Sequence, residues 1–206
     1  MKEYIAKKAH SEMKIDDSRW DNVESVILDY VWENAFPSPY ETKAQVVHTE
    51  TGITVRLTTN EWPITVTAME RNGQICIDSC MEFFFIPNTV DADYINIEMN
   101  PAAVFVTAKG ASRGMREKLL DDGEGFKVTS MINGGEGWTV MASISYAYLL
   151  KQYSCVEKTM RANFYKCGDL TPTVHYSAWN PVETENPDYH RPEYFGKIIL
   201  SEDLIS

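Results

Sequence analysis

The sequence predicts an all-β fold, a two-sheet antiparallel β-sandwich of the immunoglobulin-like or jelly-roll type with little helix. Three observations predict it. Apolar and polar residues alternate with a period of two in many short runs. Turn residues such as Asn72-Gly73 separate these runs. Only two segments have helical spacing. Because 206 residues is a size that one sandwich commonly fills, we expect a single domain over residues 1–206.

The candidate strands are short and spaced as in a sandwich. In chain order they are residues 44–49, 53–58, 64–69, 75–86, 94–99, 104–108, 126–131, 138–145, 160–166, 173–179 and 195–200. The run 75–86 is the longest apolar one and is predicted to be a central strand. The helical candidates are 113–120 and 146–153. Residues 180–192 contain three prolines and no periodicity, which predicts a long ordered loop.

The charge balance excludes two classes of partner. Thirty acidic residues against nineteen basic ones give a net charge of -11, which repels a phosphate backbone or an anionic membrane surface. The apolar stretches fall below the ~18 residues of a membrane span. We therefore expect no nucleic acid and no membrane partner, while the oligomeric state stays open. No apolar stretch follows the first charges, so we expect a cytoplasmic protein, or a secreted one if a leader has been removed.

The sequence contains none of the common catalytic or metal motifs. There is no GxSxG elbow, no HExxH pair and no phosphate-binding glycine loop. The four cysteines, at 76, 80, 155 and 167, lack CxxC spacing and are expected to be reduced. We therefore expect neither catalysis nor a cofactor. A structural calcium ion near Asp16-Asp17 or at residues 121–124 stays open, although neither has the spacing of an EF-hand loop.

The carboxy-terminal third combines aromatic rings with planar hydrogen-bonding groups. A pyranose offers C–H faces to aromatic rings and hydroxyls to Asp, Glu, Asn, Arg and His, so this composition is typical of a sugar site. The same groups would equally serve to bond the long loop to the sheet. The predicted carbohydrate-binding residues are Trp179, Glu82, Arg161, His175 and His190.

Five segments resemble the family-9 carbohydrate-binding modules, in particular their stand-alone bacterial relatives. They are residues 78–85 (DSCMEFFF), 94–101 (YINIEMNP), 161–169 (RANFYKCGD), 177–181 (SAWNP) and 190–196 (HRPEYFG). The resemblance implies a β-sandwich without catalysis, a structural calcium ion, and a slot that holds the end of a glycan between two Trp rings.

The resemblance also implies roles for particular residues. Glu82 falls on the Asp-Ser-x-x-Glu pattern, whose Glu binds sugar hydroxyls, and Trp179 is similar to one wall of the slot. The sequence departs from the family at the second wall, where residues 74–76 (QIC) replace the Trp, and at Ile95, where an Arg is expected. Trp62 is then the remaining candidate for the second wall.

These observations favour non-catalytic saccharide binding, by aromatic stacking and hydrogen bonding at one end of the sandwich. Two alternatives stay open. Glu82 and Glu98 lie in neighbouring candidate strands and would suit a jelly-roll glycoside hydrolase or lyase, which uses a carboxylate pair. The chain would instead be a structural or interaction sandwich if the sugar slot has been lost.

Overall fold

Strands dominate the computed structural model, which describes residues 1–119, 123 and 125–205. The strands in that part of the chain are β1 (Glu3–Lys8), β2 (Val26–Ile27), β3 (Thr42–His48), β4 (Gly52–Thr59), β5 (Cys80–Ile86), β6 (Tyr94–Met99), β7 (Phe105–Gly110), β8 (Arg116–Lys118), β9 (Phe126–Ile132), β10 (Trp138–Ser145), β11 (Thr159–Cys167), β12 (Tyr176–Ala178) and β13 (Gly196–Leu204). The helix α1 (Tyr146–Gln152) begins after Ser145, whose hydroxyl accepts from Tyr148 N. Short 3-10 turns occupy Ser18–Asn22, Ile75–Ile77, Arg113–Met115 and Pro192–Tyr194.

The strands follow the order β8-β7-β6-β5-β11-β13-β1-β3-β4-β10-β9, with β12 beside β11 and β2 beside β3. We call β8-β7-β6-β5-β11-β13, together with β12, the first sheet. We call β1-β3-β4-β10-β9, together with β2, the second sheet. Most neighbours are antiparallel, whereas β1 runs parallel to both β13 and β3 where the two sheets join. The predicted mainly antiparallel sandwich with little helix is confirmed. The run 75–86 supplies the central strand β5 as expected, but the strand begins only at Cys80 because residues 75–77 form a 3-10 turn.

An aromatic and aliphatic core fills the space between the sheets. Phe83 of β5 and Phe164 of β11 are register partners whose rings stack at 5.2 Å. Val55 and Val140 of the second sheet belong to the same buried cluster. Full burial of one such side chain contributes about 1.5–3 kcal/mol, so this cluster is the main source of stability.

A buried ion pair shows which face of the first sheet points inward. Lys166 Nζ of β11 lies 2.9 Å from Glu61 Oε2, and Trp138 Nε1 of β10 donates to that same oxygen at 3.0 Å. Because Trp138 belongs to the second sheet, Lys166 faces the interior. Side chains alternate along a strand, so Tyr165 and Cys167 lie on the outer face of the first sheet.

The outer face of the second sheet is covered by the chain itself. Trp20, Met13 and Val23 from the amino-terminal segment form a second buried cluster with Val47 of β3 and Met141 of β10. Gln45 Nε2 fastens this segment by donating to Trp20 O at 2.8 Å. The outer face of the first sheet is therefore the one left for a ligand.

The strand predicted at 64–69 is wrong. This segment is irregular because side chains, rather than a neighbouring strand, accept its backbone N–H groups. The Asp78 carboxylate accepts from Thr67 N at 2.8 Å and from Ala68 N at 3.0 Å, and Ser79 Oγ accepts from Thr65 N at 2.8 Å. The alternating sequence therefore forms a loop that packs beside the start of β5.

The helix predicted at 113–120 is also wrong. Residues 113–115 form a 3-10 turn and residues 116–118 form β8, which pairs with the edge of β7. The expected continuation at residue 120 lies outside the described residues. The sequence also gave no signal for β1, which joins the two sheets. Within the described residues, no helix is long and apolar enough to span a membrane.

Candidate ligand-binding site

A cavity of about 610 Å³ lies on the outer face of the first sheet. Its floor is made by alternate residues of neighbouring strands, among them Glu82 of β5, Glu98 of β6, Val106 of β7 and Cys167 of β11. The loops that contain Phe36 and Tyr189 line its sides. Strands hold the residues of the floor and fix their geometry, whereas loops and short turns supply the rest of the lining.

Two buried carboxyl groups lie side by side in the floor. Glu82 and Glu98 are direct register partners, and both residues are less than a tenth exposed. Asn96 Nδ2 donates to Glu98 at 3.0 Å, and the thiol of Cys167 donates to Glu82 at 3.1 Å. Burial raises the pKa of both carboxyls, and the charge of Glu98 raises that of Glu82 further. A protonated carboxyl can donate to one ligand hydroxyl and accept from another.

Basic residues surround this acidic floor. Arg116 Nη1 donates to Asn96 Oδ1 at 2.8 Å and lies 3.9 Å from Glu98. Arg113 pairs with Asp188 at 2.9 Å, which ties the 3-10 turn before β8 to the loop 180–192. Guanidinium groups are good donors to hydroxyl and carboxylate oxygens. The cavity thus presents both donors and acceptors to a polar ligand.

Aromatic residues form one side of the cavity. Phe36 is 65% exposed, and Tyr176 is partly buried beside it. Their backbones are bonded, since Tyr176 N donates to Phe36 O at 3.0 Å and Pro37 forms a bridge with Tyr176. A phenyl ring exposed at the edge of a polar cavity suits the C–H face of a sugar.

The loop 180–192 closes another side, and the prediction of a long ordered loop is confirmed. Tyr189 stacks on Tyr165 with ring centroids 4.2 Å apart. His190 Nδ1 lies 2.8 Å from the hydroxyl of Tyr94. Burial, reinforced by the charges of Arg116 and Arg113, lowers the pKa of His190 to about 2. The ring is therefore neutral.

Of the five predicted site residues, the structure places Glu82 and His190 in the cavity. Trp179 is not there. Its ring is 2% exposed and packs against Phe164 at 5.4 Å between centroids. The expectation that Trp179 offers a ring face to a ligand is contradicted by this burial. Trp62, the candidate for the opposite wall, is 46% exposed but does not line the cavity.

Arg161 and His175 also lie away from the cavity. Arg161 sits at the other end of β11, where its guanidinium donates to Asp91 O. His175 is buried between the sheets, with Nε2 2.8 Å from Lys166 Nζ and Nδ1 2.6 Å from Thr173 O. Burial and the charge of Lys166 lower the pKa of His175 to about 4, so Nε2 accepts from the ammonium. Both residues are structural in these positions.

The cavity also lies on a sheet face rather than at one end of the sandwich, where the site was expected. Sequence reasoning did not single out Phe36 or Tyr176, because one is in an irregular segment and the other in a three-residue strand. Arg113 and Arg116 were not among the predicted site residues either. Their position beside Glu98 depends on β8 pairing with β7, which the predicted helix excluded.

The two candidate calcium sites have different outcomes. The Asp17 carboxylate already accepts from Arg19 Nε at 3.0 Å and from Arg19 Nη2 at 2.7 Å. A carboxylate neutralised by a guanidinium is a poor calcium ligand, which disfavours Asp17, and calcium binding near Asp16 stays a prediction. The other candidate, residues 121–124, lies outside the described residues except for Gly123. Calcium binding there stays a prediction.

The fold is a β-sandwich, and its candidate ligand site is the cavity on the outer face of one sheet. The chain belongs to carbohydrate-binding family 9, because the model of that family matches residues 12–200. The resemblance found in the sequence is thereby confirmed. The chain matches no curated protein.

Solved structures share the fold over nearly the whole chain. A candidate carbohydrate-binding protein from Bacteroides uniformis is 26% identical, with a TM-score of 0.85 over 97% of this chain and 99% of that one. A family-9 module from Caldicellulosiruptor kristjanssonii is 15% identical, with a TM-score of 0.67 over 98% of this chain. Two structures of that module are covered to 96% and 94% of their length.

Proposed function

We propose that this protein binds a saccharide in the outer-face cavity and catalyses no reaction on it. One observation carries the proposal: a cavity in a family-9 chain that combines a paired carboxyl floor with an exposed phenyl ring at its edge. The related module from Caldicellulosiruptor kristjanssonii has been solved in complex with glucose and with cellotriose. Its identity to this chain is low, so the position of its sugar is not transferred here.

The groups in the cavity suit both surfaces of a sugar ring. Phe36 offers an apolar face for C–H groups, while Glu98 and Arg116 offer hydrogen bonds to hydroxyls. The cavity volume of about 610 Å³ lies within the roughly 300–1,000 Å³ that small-molecule sites occupy. A neutral sugar also avoids the repulsion that the net charge of -11 imposes on an anionic ligand.

A second candidate function is glycoside hydrolysis, favoured by the pairing of Glu82 with Glu98. A glycosidase places its two carboxyls on either side of the scissile bond and keeps one of them ionised. Here the carboxyls are directly opposite on adjacent strands, so both rise from one floor and face the ligand from the same side. Burial also favours the protonated form of each. This arrangement suits binding better than hydrolysis.

The binding proposal is tested by calorimetric titration with glucose and cellotriose, after a glycan array has widened the set of sugars. We expect Phe36→Ala and Glu98→Gln each to weaken binding by roughly two- to tenfold, because stacking and a hydrogen bond to a neutral carboxyl each contribute about 0.5–1.5 kcal/mol. The matched control is Trp62→Ala, which removes an exposed ring outside the cavity and should bind as wild type does. Equal binding by all folded variants would place the sugar elsewhere.

Hydrolysis is tested separately by incubating the protein with cellotriose and with xylan. We expect no release of reducing sugar. Release by wild type that disappears in Glu98→Gln would establish the hydrolase and remove the non-catalytic assignment.

A further inference from the structure

Three metal-ligating side chains meet in the floor of the cavity. Cys80 and Glu82 are two residues apart on β5 and therefore project from the same face of the sheet. Cys167 of β11 is the register partner of Cys80 and points to that face as well. The two thiols and the carboxylate offer three ligand atoms that all lie within 4.8 Å of one another, and all three residues are buried. The chain thus presents two sulfur ligands and one oxygen ligand at a single point.

The two sulfur–oxygen distances are close to those in the coordination shell of zinc. Zn–S bonds of about 2.3 Å and Zn–O bonds of about 2.1 Å at tetrahedral angles place sulfur about 3.6 Å from oxygen and about 3.8 Å from a second sulfur. Glu82 Oε1 lies 3.7 Å from Cys80 Sγ and 3.1 Å from Cys167 Sγ. Small changes in the side-chain torsions, which move the ligand atoms by a few tenths of an ångström, would place all three at bonding distance from one ion.

From this geometry we propose that Cys80, Glu82 and Cys167 bind a zinc ion, with one coordination position open to the cavity. Thiolates favour zinc over calcium or magnesium, and three protein ligands with a free fourth position are typical of zinc sites that accept water or a ligand atom. Glu82 and Cys167 line the cavity, whereas Cys80 is fully buried beside Cys167. The open position is therefore directed toward the space that we assign to the saccharide.

The groups around Cys80, Glu82 and Cys167 are compatible with the charge of the zinc complex. Zinc binding releases the two thiol protons, and also the carboxyl proton when Glu82 carries one, and leaves a net charge of -1 on the complex. Burial raises the pKa of the Cys80 thiol to about 12 in the metal-free protein, so the ion must displace these protons. Burial and the charge of Glu98 raise the pKa of Glu82, and Arg113, which also lines the cavity, opposes this rise only in part.

The test is an anaerobic titration of the reduced, chelator-treated protein with Co²⁺, followed by displacement with Zn²⁺. Thiolate-to-cobalt charge transfer gives an absorption band that reports sulfur ligation directly, and no sugar is added. We expect the band to saturate at one equivalent of Co²⁺ and to disappear after one equivalent of Zn²⁺. Because the readout does not involve a saccharide, the zinc proposal can be refuted while the saccharide proposal holds. The saccharide proposal can equally be refuted while the zinc proposal holds.

Four variants assign the ligands. Cys80→Ser and Cys167→Ser should each diminish the band and weaken cobalt binding by roughly a hundredfold or more, since loss of a ligand exceeds the 10–100-fold effect of losing a supporting group. Glu82→Gln should keep the band and weaken binding by about tenfold or more. Cys155→Ser is the matched control, because Cys155 is a partly buried cysteine outside the cluster, and should bind as wild type does.

Circular dichroism and thermal unfolding establish that each variant is folded. If a cysteine variant fails to fold, the rise in wild-type Tm with added Zn²⁺, and its reduction in Glu82→Gln, provide the same test. The proposal is overturned if wild type gives no charge-transfer band, if the band survives in the Cys80→Ser/Cys167→Ser double variant, or if the two thiols are found joined as a disulfide that reforms in preference to metal binding.

Discussion

The replacement Trp179→Ala tests whether this ring belongs to the core or to a ligand site. The ring is 2% exposed and contacts Phe164, and a Cβ on Gly196 would lie 2.7 Å from its Cζ3. Backbone and ring thus fill the space around it, so little collapse can follow removal. Trp→Ala at such positions costs about 3–5 kcal/mol, out of a total stability of about 5–15 kcal/mol.

Urea denaturation followed by far-ultraviolet circular dichroism measures this loss. With a slope of about 2 kcal/mol per molar urea, a loss of 4 kcal/mol should lower the midpoint by about 2 M. The control Trp62→Ala removes a ring that is 46% exposed, and it should cost about 1 kcal/mol or less.

If Trp179 instead contacts a ligand, Trp179→Ala should leave the urea midpoint unchanged and abolish sugar binding. A Trp179→Ala protein that unfolds at the wild-type urea concentration yet no longer binds sugar would show that the ring is accessible. The interior placement of Trp179 would then be refuted, together with the assignment of the site to the outer-face cavity.

Two further predictions concern ionisable groups. Burial lowers the pKa of His190 to about 2, so between that value and the unfolded pKa of about 6.5 the unfolded chain binds a proton that the native state does not. As the pH falls below 6.5, wild type should lose up to about 1.4 kcal/mol per pH unit relative to His190→Phe, measured by urea denaturation at several pH values; parallel pH profiles would contradict this. Lys166→Met leaves Glu61 as an unpaired buried carboxylate and should cost about 3–5 kcal/mol, whereas the double variant with Glu61→Leu should recover much of that loss. A double variant no more stable than Lys166→Met alone would show that the pair is not coupled.

The strand pattern was predictable because alternation reports which face of a strand is buried. Residues 42–48 and 52–59 form strands over nearly the predicted ranges. The pattern failed at 64–69, where the same alternation is present but the Asp78 carboxylate accepts the backbone N–H groups. Such a contact joins residues ten or more positions apart, and no local pattern contains it.

Two of the predicted site residues lie in the cavity, Glu82 on a strand and His190 on the long loop. Glu82 was identified because it falls on the Asp-Ser-x-x-Glu pattern, and in the structure the Cys167 thiol donates to it. Trp179 was misplaced because composition shows that aromatic and polar groups are close in sequence but not which of them face solvent. Phe36 was missed since its position follows from a backbone contact with Tyr176, about 140 residues away.

The alternation of β11 lets one strand serve two purposes. Lys166 points between the sheets and pairs with Glu61, whereas the next residue, Cys167, points outward and lines the cavity. A change at Lys166 should therefore lower the free energy of unfolding and leave the ligand groups in place. A change at Cys167 should alter the cavity floor while the core packing of Phe164 is kept. Stability and binding can thus be separated at adjacent positions, because the strand period assigns each residue to one face of the sheet.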